Sequence, residues 1–251
     1  MDYQFIQKQV SDVIIECGIK SFPIDTFYLL RHYGYKIYTY DEIRYQNEQL
    51  YEVAIKYSAD AFRYRGIVCY NSNQASGRIA FSLMHELGHH ILGHNGEQQQ
   101  NEVEANYFAS NILAPRIAIY YAGCKNANDV HRLFKITYEA SEYAFEDFRR
   151  WRRFLVTHRL RFTPGELALY HHFYNKELDK FVWSIRECSK CGRPIYNDLF
   201  THECCRCRQK KMTRRNKSFL CDDPVFGLFC DEQSQQNIRI AEYKWLYGDD
   251  Y

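Results

Sequence analysis

The tightest constraint on this chain is the stretch His85-Glu86-Leu87-Gly88-His89. On a helix, residues four apart share a face, so His85 and His89 can point at a common centre. Two imidazoles so placed can hold Zn²⁺, with the adjacent Glu beside the metal's water rather than on the metal. Zinc lowers the pKa of a bound water to roughly 7, and Glu86 can take its proton during attack on a carbonyl. The pattern therefore implies a hydrolytic reaction, with His85 and His89 as metal ligands and Glu86 as catalytic base.

The flanks support a helix. Met84, Leu87 and Ile91 recur at i, i+3 and i+7 as an apolar back, and Gly93 is a plausible stop. Catalytic zinc usually takes three protein ligands, and the next acidic cluster is Asn101-Glu102-Val103-Glu104-Ala105-Asn106. Glu104 is the expected third ligand, on a second antiparallel helix, with Glu102 the alternative. Asn101 and Glu104 also have the spacing of a capping box, so Glu104 can equally be a helix-start residue. His90 and His94 form another i, i+4 pair, but Ile91 stands where a catalytic Glu would be. They are read as structural or supporting residues.

The run from Gly77 through HELGHHILGH to EVEANYFASNILAP resembles the ImmA/IrrE family of zinc metallopeptidases, over roughly residues 20 to 150. The resemblance implies an HExxH helix followed by a Glu-Ala-Asn-x-Phe-Ala helix ending near Pro115. It implies His85, His89 and Glu104 as zinc ligands and Glu86 as general base. It also implies a regulatory protein substrate, typically a helix-turn-helix repressor.

Ahead of this region, residues 3 to 18 read as an amphipathic helix. A second helix opens at Pro23 and Asp25, and residues 35 to 40 read as a strand. Ala61 to Tyr70 reads as a strand pair, one strand of which could hold an extended substrate by main-chain pairing. Asp129 to Tyr138, with the helix after it, has the outline of a helix-turn-helix, but a packing helical pair is the preferred reading. The arginines that follow (149, 150, 152, 153, 159 and 161) leave DNA contact open, although a basic run on a helix is usually a solvated face. Thr163-Pro164-Gly165-Glu166 is a helix start with cap, N1 proline and capping-box Glu, and the helix is expected to reach about Lys180. His171 and His172 on it lack metal-ligand spacing.

Ten cysteines decide the C-terminal region, because seven of them fall between residues 188 and 230. Cys188-x-x-Cys191 and Cys204-x-x-Cys207 are two knuckles that together can form a closed Cys₄ cage for a second, structural zinc. His202 and Cys205 are possible substitutes, whereas Cys221 and Cys230 fit no further cage. Cys17, Cys69 and Cys124 are expected to be buried small apolar residues. The basic run over residues 206–217 beside the ribbon could contact nucleic-acid phosphates.

The expected architecture is α+β: a mainly helical zincin-like peptidase domain (1–150), a helical connector (151–183) and a Cys₄ zinc ribbon with tail (184–251). The N-terminus lacks a basic and apolar leader, and no apolar run approaches a membrane span. A cytoplasmic location is the expectation. A net charge of +2 carries no global nucleic-acid field.

Overall fold

The computed structural model describes residues 2–96, 98–158 and 161–209. Cys221, Cys230, Arg159 and the basic run beyond residue 209 lie outside the described residues. The chain is mostly helical with small sheets, as an α+β fold requires.

Helix α1 (Tyr3–Glu16) is capped by Asp2, and its apolar stripe of Ile6, Val10, Val13 and Ile14 is buried. Helix α2 (Thr26–His32) starts on the Asp25 cap and leads into strand β1 (Lys36–Thr39). Helices α3 (Tyr40–Gln46) and α4 (Glu48–Tyr57) are not anticipated from apolar spacing. Their caps mark them: Thr39 and Glu42 form a capping box, and Asn47 caps α4.

Strands β2 (Ala61–Tyr64) and β3 (Ile67–Tyr70) form an antiparallel hairpin across Arg65-Gly66, and β1 lies parallel to β3 on its other side. The order β1-β3-β2 leaves β2 at an edge. Successive β3 residues face opposite ways: Val68 enters the main core, while Cys69 packs with Tyr40, Ile43 and Ala54.

Helix α5 (Ser76–Ile91) carries the HELGH stretch, and residues 77–81 form its first turns. Its back is Leu83, Met84 and Leu87, all fully buried. Helix α6 (Gln99–Leu113) packs against it, followed by α7 (Arg116–Tyr121), α8 (Ala127–Phe134) and α9 (Tyr138–His158). A Cβ at Gly77 would come within 2.9 Å of backbone atoms of Lys135, Ile136 and Thr137. The turn between α8 and α9 therefore sits on the start of α5, which favours the packing-pair reading of this element.

Helix α10 (Pro164–Phe173) starts with the expected Thr163–Glu166 capping box but stops well short of Lys180. The chain instead turns in a short hairpin, β4 (Tyr174–Asn175) with β5 (Lys180–Phe181). The Asn175 side chain accepts the Leu178 amide at 3.0 Å, and Phe181 stacks on Tyr121 at 4.5 Å, so local turn chemistry and aromatic packing end the helix.

Trp151, Leu155, Leu169, Phe173, Phe181 and Trp183 share the core of Leu83 and Phe108. Residues 151–183 are thus part of the main body rather than a separate connector. Strands β6 (Ile185–Glu187) and β7 (Pro194–Tyr196) pair antiparallel. The described residues up to 187, with 194–201, form one compact unit, and residues 188–193 with 202–209 form a second. Among the described residues, no helix is long and apolar enough to cross a membrane.

Candidate metal centres

The histidine centre is built where α5 and α6 approach most closely. Gly88, inside the HELGH stretch, allows this: a Cβ there would lie 3.0 Å from the Phe108 ring and 3.3 Å from the Ala105 backbone. With Gly88 facing Ala105, the first turn of α6 reaches the histidine face of α5.

His85 Nε2 and His89 Nε2 lie 3.0 Å apart. The Glu102 carboxylate spans them, one oxygen 3.2 Å from His85 Nε2 and the other 3.3 Å from His89 Nε2. Zinc bonds of about 2.0–2.2 Å in a tetrahedron place ligand atoms about 3.3 Å from one another, so these three donors fit that ion. His85, His89 and Glu102 form one of two metal-competent groups among the described residues.

Glu102 rather than Glu104 therefore joins the histidines, which departs from the ligand set expected from the sequence. Residues two apart on a helix point about 200° from each other, so both carboxylates cannot face α5. Glu104 instead accepts from Gln100 Nε2 at 2.8 Å and faces His94 Nε2 at 3.3 Å.

Each histidine's other ring nitrogen is also held. His85 Nδ1 lies 2.9 Å from Asn106 Oδ1, and His89 Nδ1 lies 3.0 Å from His94 Nδ1. One proton assignment satisfies the whole chain. His89 Nδ1–H donates to His94 Nδ1, and His94 Nε2–H donates to Glu104, leaving His89 Nε2 with its lone pair toward the centre. His85 Nδ1–H donating to Asn106 does the same for His85. Such partners orient metal-binding imidazoles and fix their tautomer. Burial lowers the pKa of both histidines, His89 to about 4, which favours the neutral form that binds metal.

Glu86 sits beside this group without joining it. Burial raises its carboxyl to about 7, with Arg63 opposing and Glu102 adding to the rise. Arg63 Nε is 3.8 Å from the Glu86 carboxylate and is buried without a hydrogen-bond partner. Neither Arg63 nor Asn106 stands out in the sequence. Asn106 could have been found as the residue four beyond Glu102 on one helix face, but Arg63 comes from a strand distant in sequence.

The second centre assembles the expected cysteines. The sulfurs of Cys188, Cys191, Cys204 and Cys207 lie within 4.8 Å of one another, and those of Cys191 and Cys204 are 3.6 Å apart. Zn–S bonds of about 2.3 Å give tetrahedral edges of about 3.8 Å, so four thiolates at this spacing fit zinc. The Cys204 amide donates to Cys188 Sγ at 3.2 Å, and this contact, with those of the Lys190 and Cys191 amides, lowers the Cys188 thiol to about 6. Cys205 and His202 are outside this group. The His202 carbonyl instead accepts the Ser189 amide at 2.9 Å, closing one knuckle on the other.

Residues 40–146 match the family model for the IrrE N-terminal-like domain, Peptidase_M78. The resemblance expected from the two sequence motifs is borne out over that interval, which runs from α3 into α9 and contains His85, Glu86, His89 and Glu102. A domain of this peptidase family supports a metallopeptidase-like activity with a protein as substrate. No curated protein and no solved structure matches the chain.

Proposed function

We propose that this chain is a zinc-dependent endopeptidase acting on a regulatory protein, with a helix-turn-helix repressor the substrate class favoured by the family resemblance. The convergence of His85, His89 and Glu102 beside the buried Glu86 carries this reading. In it, those three residues hold the catalytic ion, and Cys188, Cys191, Cys204 and Cys207 hold a structural one. A zinc ion at the histidine centre would supply Lewis acidity and an acidified water.

The protein's own part follows from the surroundings of Glu86. A carboxyl near 7 can accept a proton from the attacking water and return it to the leaving amine nitrogen. The two-residue hairpin loop makes Tyr64 and Ile67 a hydrogen-bonded pair, so alternation turns the main-chain groups of Arg63 to the outer edge of β2. An extended substrate pairing there would lie along the strand that carries Arg63 beside Glu86.

The test is to incubate candidate repressor proteins with the zinc-loaded enzyme and with Glu86→Gln, then read fragments by intact mass spectrometry. Glu86→Gln should retain zinc and lose about 10²–10⁴ in rate. Equal fragmentation by both proteins would refute the role of Glu86.

A further inference from the structure

Away from both metal centres, the end of α7, the loop after it and α9 enclose an open cleft of about 710 Å³. Arg149, Arg152 and Arg153 enter it from one face of α9, at the i, i+3, i+4 spacing that groups side chains on a helix. Lys125 enters from the loop, and no carboxylate among the described residues lines the cleft. Of the nearby acids, Asp147 is held by Arg116, with Nε at 2.6 Å and Nη2 at 3.1 Å, and Asp129 accepts the Lys125 amide at 2.9 Å. The walls are aromatic: Tyr120, Phe145 and Phe148. The Arg152 guanidinium lies over the Tyr120 ring, 5.9 Å from its centroid.

A solvated basic face is convex and disperses its charge. Here four cations line one open cleft with aromatic walls, of about the volume of small-ligand pockets. Guanidinium forks match phosphate oxygens, while aromatic and guanidinium planes stack on a base. An acidic peptide would meet the cations but make no use of the half-buried Tyr120 and Phe145 rings beside them. We propose that this cleft binds a nucleotide, free or within a single strand, with its phosphates on Lys125, Arg149, Arg152 and Arg153 and its base against Tyr120 or Phe145.

The experiment uses the full-length zinc-loaded chain and fluorescence anisotropy, with a labelled ten-residue oligo-dT and a fluorescent ATP as probes. Arg149→Glu/Arg153→Glu should weaken the probe that binds by at least about tenfold, and Tyr120→Leu by roughly fivefold or more, the scale of one lost stacking contact. Arg150→Glu is the control, matched in charge to the single variant Arg153→Glu: it lies on the same helix but outside the cleft and should change binding less than about twofold, while Arg153→Glu should weaken it clearly more. Thermal melts establish that each variant is folded, and Arg152→Gln serves if the double variant is not. Competition by unlabelled ATP against oligo-dT distinguishes a free nucleotide from a strand. Failure of both probes to bind would overturn the proposal. So would an equal loss in Arg150→Glu and Arg153→Glu, or poly-glutamate competing as well as either nucleotide probe.

Discussion

At the scale of single residues, the α5–α6 centre separates two carboxylates that look interchangeable in the sequence. Glu102 bridges the histidines, whereas Glu104 acts through His94 on His89. Removing a ligand should cost more zinc affinity than removing an outer partner, for which 10–100-fold is typical. Glu102→Ala is therefore expected to reduce zinc from two ions per chain to one by elemental analysis. Glu104→Gln and His94→Ala should retain two ions but release one to a chelator at about 10–100-fold lower concentration. Full occupancy in Glu102→Ala with loss in Glu104→Ala would restore Glu104 as the ligand. His85, Glu86 and His89 are legible in the sequence because one helix fixes their spacing. The third ligand is ambiguous because choosing between residues two apart requires the rotation of α6 about its axis, which is a tertiary property.

At the scale of elements, two close contacts hold the helices that frame the centre. Gly77→Ala would press a methyl into the backbone of the α8–α9 turn, which cannot rotate away as a side chain can. A cost of about 1–3 kcal/mol is expected, a drop of several degrees in the thermal midpoint. An unchanged midpoint would show that this turn yields freely. At the end of α10, His172 Nε2–H donates to the Ile19 carbonyl at 2.6 Å, and Lys20 Nζ donates to Nδ1 at 3.2 Å. Burial lowers the His172 pKa, opposed by the Ile19 carbonyl and reinforced by the charge of Lys20. The folded pKa thus lies below the unfolded one. The stabilisation is fully present above the ordinary histidine value of about 6.5 and is lost as pH falls from there toward the lower folded value. Thermal midpoints measured between pH 7.5 and 5.5 should fall less steeply in His172→Gln than in the wild type. A steeper fall would reverse the assigned sign. The sequence marks the start of α10 through its capping box, but not its end, because the Tyr121–Phe181 stack that helps stop it joins residues distant in sequence.

At the scale of the whole molecule, the described residues hold two metal-competent groups of different character. One has imidazole and carboxylate donors beside a titratable Glu, and the other has four thiols, of which those of Cys188 and Cys204 accept backbone amides. Cys188→Ser is expected to remove one zinc and leave the histidine centre loaded, so elemental analysis of Cys188→Ser and Glu102→Ala should give one ion each. Loss of both ions from Cys188→Ser would mean that the centres are not independent. The cysteine group is legible in the sequence because a CxxC knuckle is a local structure and two of them define the cage. The extent of the main body is less so, since residues 151–183 look like a connector until Trp151, Leu169 and Phe181 are placed in the shared core.

In the function proposed above, Glu86 drives peptide hydrolysis at the centre formed by His85, His89 and Glu102. The most direct test is to incubate the zinc-loaded protein and Glu86→Gln with a diverse peptide library and count new N-termini by mass spectrometry, with zinc content measured on the same samples. New termini are expected from the wild type only, abolished by chelation and restored by zinc, with equal zinc in both proteins. Identical peptide pools from both fully loaded proteins would contradict it.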